Sequence, residues 1–149
     1  MTEPYTVVAL SPLQIPIVEP EDALKNTKRI IQFMKTAVGV AATEGYPVKL
    51  VVIPEMAIQG MHMAFHAGDR EYEKKFARTI PGPETDELGK AARELNTYIA
   101  GELYLVADDD FPDRYFNCAF MINPQGEVIY RRAKATSDGF EGGTLGTTN

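Results

Sequence analysis

The sequence predicts an α/β fold in which a mixed sheet is flanked by helices. Two short apolar segments, Tyr5–Leu10 (YTVVAL) and Val48–Ile53 (VKLVVI), are typical of buried strands, and the residues between them have helical spacing. Further along the chain, two more predicted strands are joined by a tight turn, which indicates an antiparallel hairpin. Strands separated by helices pair in parallel, so the added hairpin makes the sheet mixed.

The first half of the chain contains the clearest helix and the most apolar strand. From Pro20 to about Thr43 the apolar residues form a helical stripe, and Pro20 suits a first helical position. Val48–Ile53 is β-branched and almost wholly apolar, as expected of a central strand covered on both faces. Met56–His66 is ambiguous, and a short helix after a loop is one interpretation. The stripe of the first helix comprises Leu24, Ile31, Met34 and Val38.

The second half continues the same alternation and ends in the hairpin. A helix is predicted in IPGPETDELGKAARELN, where two prolines precede an apolar stripe at helical spacing. Strands follow at Tyr98–Val106, Phe116–Ile122 and Glu127–Arg132, and ADDDFPDR is a charged loop. NPQG places Asn, Pro and Gly where a type I turn prefers them. The predicted order is β-α-β-(α)-α-β-β-β, in a single domain over residues 1–149.

Composition excludes several classes of protein. With 21 acidic and 15 basic residues the net charge is −6, and no segment concentrates Lys and Arg, which argues against nucleic acid or an anionic membrane as a partner. No apolar run reaches the roughly 18 residues of a membrane span, and the N-terminus does not resemble a signal peptide. One cysteine excludes an internal disulfide and fits a reducing compartment. We therefore expect a cytoplasmic protein.

Glu55 is the first candidate functional residue. Pro54 favours an extended Ile53, so the carboxylate emerges at the end of a buried strand. Ligands of α/β sheets bind outside the carboxyl ends of strands, which is where Glu55 is predicted to lie. A solvated glutamate that opens the next loop is equally compatible with the spacing.

Lys134 is the second candidate. In GEVIYRRAK a strand ends in three basic residues, and the two-residue period places Arg132 and Lys134 on one face, with Arg131 on the other. A lysine directed into a site can stabilise a developing oxyanion. The alternative is a solvated basic edge that discourages strand pairing.

Cys118 is predicted to belong to the core. In FNCAFMI it alternates with Phe116, Phe120 and Ile122 on one face, and burial between aromatic rings disfavours the reactive thiolate. The pair His62 and His66 has the spacing of two ligands on a helix face, but a third ligand is not evident, so neither a metal nor another cofactor is predicted.

The chain resembles the nitrilase superfamily of carbon–nitrogen hydrolases over nearly its whole length. VVIPEMAIQG is similar to the segment that contains the catalytic glutamate of that family. IPGPETDELGKAARELNTYIAGELY is similar to the helix and strand that follow, and RYFNCAFMINPQGEVIYRRAK to the hairpin that leads to the catalytic lysine. The chain departs from the family pattern at Arg132 and Ala133, where Tyr-Arg is usual.

The resemblance implies an α-β-β-α sandwich, here incomplete, and a Cys-Glu-Lys mechanism acting on a small amide. Glu55 would be the general base, Lys134 would stabilise the tetrahedral intermediate, and the two would lie within ion-pair reach at the ends of neighbouring strands. Some amidases of the family have a second glutamate shortly after the lysine, and Glu141 would match it.

The family's cysteine nucleophile follows the lysine, so we expect it beyond Asn149, together with the remaining strands. The apolar faces that those strands would cover are then buried by the rest of the protein or by identical chains, which predicts a homo-oligomer. The alternative to an amide hydrolase is a non-catalytic, truncated module that acts in assembly. The sequence does not identify the amide.

Overall fold

The computed structural model describes residues 3–60, 70–107, 109–110 and 114–134, and within them one five-stranded sheet is flanked by helices. The strands are β1 (Thr6–Ala9), β2 (Val48–Val52), β3 (Tyr98–Ala107), β4 (Tyr115–Ile122) and β5 (Val128–Ala133). The helices are α1 (Asp22–Ala42), α2 (Arg70–Phe76) and α3 (Pro83–Leu95). The strands lie side by side in chain order; β1, β2 and β3 are parallel, whereas β3, β4 and β5 are antiparallel. The predicted mixed sheet is confirmed.

Helix α1 begins two residues later than the predicted start at Pro20. The reason lies in Asp22, whose carboxylate accepts hydrogen bonds from the backbone N–H groups of Val18 (3.0 Å) and Glu19 (2.9 Å) and so holds the preceding turn. Although α1 has 21 residues, no helix in the described ranges is both long and apolar enough to cross a membrane. Its buried apolar residues include Ile30, Ile31, Met34 and Val38.

Helix α3 agrees with the prediction, whereas α2 was not predicted. Pro83 is the first residue of α3, and the Thr85 hydroxyl accepts a hydrogen bond from the Gly82 N–H at 2.8 Å. The sequence of α2, REYEKKF, is short and highly charged, so it lacks the apolar stripe by which a helix is recognised. The helix suggested for Met56–His66 is not formed up to Gly60, where the chain makes turns, and residues 61–69 lie outside the described part.

The two faces of the sheet are covered to different extents. Helices α1 and α3 pack on one face, which we call the helix-covered face; its side chains are buried and include Val51, Ile99, Cys118, Phe120 and Ile122. The register places a second set of side chains on the opposite face, which we call the open face: Val7, Leu50, Tyr98, Met121 and Tyr130.

The open face explains why one prediction is wrong. Strand β2 was expected to be covered on both faces, but Leu50 and Val52 are only half-buried, and Val7, which pairs with Leu50, is 49% exposed. On the same face of β5, Tyr130 is 46% exposed. Both α1 and α3 lie on the other face, so within the described residues only one of the two apolar faces of β2 is covered by helices. Such a contiguous apolar surface is typical of an interface.

The hairpin turn between β4 and β5 forms as predicted. The Gly126 N–H donates to the carbonyl oxygen of Asn123 at 2.8 Å, and Gly126 has a φ of 81°. The Asn123 side-chain oxygen also accepts from the N–H groups of Gln125 and Glu127, at 3.0 and 2.9 Å. This turn closes the hairpin of β4 and β5, and Lys134 follows the end of β5.

Candidate active site

Glu55 and Lys134 form an ion pair on the open face. The Glu55 Oε1 atom lies 3.5 Å from Lys134 Nζ, and the two side chains are 50% and 39% exposed. The predicted proximity is confirmed. A half-exposed pair of this kind contributes only roughly 0–1 kcal/mol to stability, so stability alone does not account for it.

The two residues do not follow neighbouring strands, and that part of the prediction is wrong. Glu55 follows β2 and Lys134 follows β5, while β3 and β4 lie between these strands. Because β2 and β5 run in the same direction, their carboxyl ends lie at the same edge of the sheet. Adjacent strands are about 4.8 Å apart, so three spacings amount to about 14 Å. The chain after β2 must therefore cross the sheet for Glu55 to reach Lys134.

Asn117 connects the two members of the ion pair. Its side-chain Nδ2 donates to Glu55 Oε1 at 2.5 Å, and its backbone oxygen accepts from the Lys134 N–H at 2.8 Å. Asn117 lies in the motif FNCAFMI, but it was not predicted as a site residue from the sequence. The available signal was the alternation in FNCAFMI, which places this amide on the face opposite Cys118.

The backbone after Glu55 takes an unusual conformation that β3 supports. Met56 has a φ of 63°, in the left-handed region, which costs roughly 1–2 kcal/mol for a residue with a Cβ. Its N–H donates to Glu102 Oε2 on β3 at 2.9 Å, and Glu102 is only 9% exposed. A carboxylate on a backbone N–H is a charge-assisted acceptor, so this bond offsets part of the cost.

Gln59 attaches the other end of this segment to the same strand. Its side-chain oxygen accepts from the Tyr104 N–H at 2.6 Å, its Nε2 donates to the Phe76 carbonyl at 3.4 Å, and the residue is 1% exposed. Gly60 follows with a φ of 69°, and a Cβ there would lie 2.4 Å from the Ile15 carbonyl oxygen. Residues 55–60 are thus fixed at both ends over the end of β3. We call them the crossing segment.

The arrangement has the groups that acid–base chemistry on an acyl compound requires. Glu55 is a carboxylate able to accept a proton, and the Lys134 ammonium lies where it can stabilise negative charge that develops beside it. Asn117 orients the carboxylate through its amide N–H. The three described residues of this cluster, Glu55, Asn117 and Lys134, include no thiol or hydroxyl group that could act as the nucleophile.

Cys118 lies on the wrong face of the sheet to serve as that nucleophile. It pairs with Leu103 and Ala133 and points with Phe120 toward the helices, whereas Glu55 and Lys134 meet on the open face. Its side chain is 1% exposed. The predicted burial of Cys118 is confirmed, and the assignment of Cys118 to the core follows.

Three of the sequence-based candidates lie outside the described residues: Glu141, His62 and His66. The role of Glu141 as a second glutamate stays a prediction. Within the residues that the structure does describe, no three His, Cys, Asp or Glu side chains are grouped so that they could hold a metal ion.

A comparison with known families identifies the class of protein to which this fold belongs. The carbon–nitrogen hydrolase family model matches residues 8–141, and the chain belongs to this family. The resemblance to the nitrilase superfamily is therefore confirmed.

Individual relatives agree with the family. The chain is 31% identical over 135 residues to a formamidase of Bacillus cereus (strain Q1), and 30% identical to a formamidase of Bacillus anthracis. Each match covers 90% of this chain, which spans 38% of the length of those relatives.

Among solved structures, the fold is similar to an N-terminal amidase with an Asn-Glu-Ala peptide, with a TM-score of 0.70 and 23% identity. That match covers 96% of this chain and 31% of the amidase. An amidase from Nesterenkonia sp. AN1, in complex with acrylamide, gives a TM-score of 0.59 at 16% identity, over 95% of this chain and 48% of that one. These likenesses show that the chain has the fold of part of such enzymes.

Proposed function

We propose that this chain is part of an amidase that hydrolyses the carbon–nitrogen bond of a small, non-peptide amide by a Cys-Glu-Lys mechanism. The observation that carries the proposal is the meeting of Glu55 and Lys134 at 3.5 Å on the open face, in a member of the carbon–nitrogen hydrolase family. The crossing segment brings the carboxylate there at a cost in backbone strain, which is typical of functional sites.

In the proposed reaction, Glu55 removes the proton from a cysteine thiol, and the thiolate attacks the amide carbonyl carbon. Lys134 stabilises the oxyanion of the tetrahedral intermediate. The carbon–nitrogen bond then breaks, and the leaving amine takes the proton from Glu55. Water attacks the resulting thioester with Glu55 again as the base, which releases the acid and restores the thiol. Glu141 is the candidate for a second carboxylate beside the leaving amine.

The nucleophile is proposed to lie beyond Asn149. Cys118 is the single cysteine of these 149 residues, and it faces the helices. Since the chain spans 38% of the formamidases to which it is similar, a cysteine contributed by additional residues is consistent with their length. Those residues would also complete the second sheet of the sandwich.

A short aliphatic amide is the proposed substrate class. The support is the similarity to formamidases and the acrylamide complex of the amidase from Nesterenkonia sp. AN1. Formamide and acrylamide are both small, uncharged amides. We propose that the protein needs no cofactor, because the mechanism uses side chains alone. We also propose that it acts in the cytoplasm, for which the support is a single cysteine in these 149 residues.

We also propose that the protein forms a homo-oligomer, because the open face of the sheet carries exposed apolar side chains. The open face exposes apolar side chains such as Val7, Tyr98 and Tyr130. Burial of such side chains is favourable by about 25 cal/mol per Å². The residues that complete the sandwich are expected to cover most of this face. A second copy of the protein is expected to cover the apolar surface that remains exposed.

The test is ammonia release by the full gene product from formamide, acetamide, acrylamide and a carbamoyl compound. We expect turnover of at least one of these amides, and a loss of roughly 10²–10⁴-fold in kcat on Glu55→Gln or Lys134→Gln. Glu94→Gln is a matched control, because Glu94 also pairs with a lysine, Lys35 at 2.6 Å, but far from the site. Turnover that is equal in Glu55→Gln and Glu94→Gln would refute the mechanism. A protein without amidase activity would favour the assembly module.

A further inference from the structure

We infer that Glu102 is a positioning residue for Glu55. It accepts a hydrogen bond from the N–H of Met56, the residue directly after Glu55, at 2.9 Å. By holding this N–H, Glu102 keeps Met56 in the left-handed conformation that turns the chain across the sheet. The inference deepens the proposed function and rests on it only for its catalytic consequence.

The position of Glu102 explains how the turn is achieved. Glu102 pairs with Ala119 on β4, which in turn pairs with Arg132 on β5, so all three side chains lie on the open face. The carboxylate therefore stands between β2, which delivers Glu55, and the Asn117–Lys134 pair that receives it. If Met56 were extended, the residues after Glu55 would continue along the axis of β2 instead.

The chemistry of the contact argues against an incidental hydrogen bond. A buried carboxylate is costly to desolvate, and a left-handed residue with a Cβ is strained. Here both unfavourable features meet in one contact, one residue away from the proposed general base. An uncharged acceptor of the same length, such as glutamine, would satisfy the Met56 N–H at a smaller desolvation cost. A charged acceptor makes a stronger bond than a neutral one, so it defines the backbone position more closely.

Gln59 completes the support but does not replace Glu102. It holds the far end of the crossing segment on the Tyr104 N–H, four residues after Glu55. The near end is held to β3 through Met56. The carbonyl oxygen of Glu55, in the same peptide group as the Met56 N–H, also accepts a hydrogen bond from the Gln14 side chain at 3.0 Å. Loss of the Glu102 bond is therefore expected to loosen the backbone beside Glu55, which Gln14 then holds on one side only, while the far end stays attached.

The first test is a zero-length carbodiimide cross-link between the Glu55 carboxyl and the Lys134 amine, quantified by mass spectrometry of the full gene product. It requires no enzymatic activity. An internal reference is the cross-link between Lys35 and Glu94, which lie in different helices and meet at 2.6 Å only when the domain is folded. Glu102→Leu should reduce the Glu55–Lys134 yield at least several-fold relative to this reference. Glu102→Gln, which keeps an acceptor of the same length, should retain most of it.

A matched control is Glu84→Leu. Glu84 is likewise a buried glutamate, 3% exposed, but it pairs with Arg78 away from the site. This variant is expected to lower stability and leave the Glu55–Lys134 cross-link at the wild-type ratio. An unchanged ratio in Glu102→Leu would overturn the inference. If Glu102→Leu does not fold, as a lost reference cross-link would reveal, Glu102→Ala and Glu102→Ser are compared in its place, and an unchanged ratio in either overturns it equally.

The second test is kinetic. Misplacement of a catalytic group by about 1 Å costs roughly 10²-fold in rate, so Glu102→Leu should lower kcat by about that factor, with KM within about twofold. Glu102→Gln should recover most of the loss. A KM change with kcat preserved would contradict a positioning role. A cross-link that depends on Glu102 in a protein without amidase activity would retain the positioning of Glu55 and refute only the proposed function.

Discussion

Glu55 Oε1 lies 3.5 Å from Lys134 Nζ even though two strands separate β2 from β5. The pair forms because β2 and β5 are parallel and end at one edge, and because the backbone turns at Met56 directly after the glutamate. Asn117, on the strand next to Lys134, then holds the carboxylate. The relationship depends on contacts from three strands, so each contact can be tested separately.

Asn117→Leu is expected to reduce amide turnover by roughly 10²-fold, because Glu55 loses the amide that orients it. The Lys134 N–H bond to the backbone of residue 117 is retained, so the strand pairing should survive. The measurement is kcat for ammonia release, together with Tm. Asn123→Ala is the control: it removes the side-chain acceptor in the hairpin turn and should lower Tm with little effect on kcat. Equal kcat in Asn117→Leu and wild type would rule out this role.

Cys118 should be inert in the native protein. It is 1% exposed on the helix-covered face, so a thiol reagent is expected to modify it only after unfolding. Cys118→Ala should destabilise the fold by about 1 kcal/mol and leave kcat within about twofold. Labelling rates in buffer and in denaturant, followed by mass spectrometry, provide the measurement. Rapid native labelling that abolishes turnover would reverse the assignment of Cys118 to the core.

The chain of residues 1–149, produced alone, is expected not to turn over amides. Glu55 and Lys134 act together with a nucleophilic cysteine. Loss of one of three groups that act together removes most of their rate acceleration, so the activity without the cysteine should be lower by orders of magnitude. Adding residues that complete the enzyme, in the same chain or as a second one, should restore hydrolysis that depends on Glu55. Turnover by the 149 residues that persists in Cys118→Ala would mean that they contain another nucleophile.

The ionised Asp22 carboxylate should stabilise the fold near neutral pH, and this contribution should be lost in strong acid. Hydrogen bonds from the Lys25 ammonium and from the backbone N–H groups of Glu19 and Val18 lower the pKa of the Asp22 carboxyl below its ordinary value of 3.8. Because the pKa is lower in the folded state, the stabilisation is fully present above the ordinary pKa and is lost as pH falls below it. The difference in urea midpoint between wild type and Asp22→Ala should therefore shrink between pH 5 and roughly pH 2. A difference that is constant with pH would contradict this.

Much of the local structure was determined by the sequence itself. Apolar periodicity and the proline and glycine positions predicted α1, α3, all five strands and the turn at Asn123–Gly126, because these signals act between residues a few positions apart. The motifs also indicated Glu55 and Lys134. The helix α2 was not predicted, since seven largely charged residues have no periodic stripe.

The tertiary structure alone decided how the site is assembled. Only the strand order shows that β3 and β4 separate β2 from β5, and that Glu102 and Asn117 lie between the two candidates. It also shows that β2 is covered by helices on one face only. These features depend on pairing between residues that are distant in the chain, such as Met56 with Glu102 and Glu55 with Asn117, which are 46 and 62 positions apart. Local spacing contains no information about such pairs, because long-range contacts are selected by the packing of the whole sheet and not by the neighbouring residues.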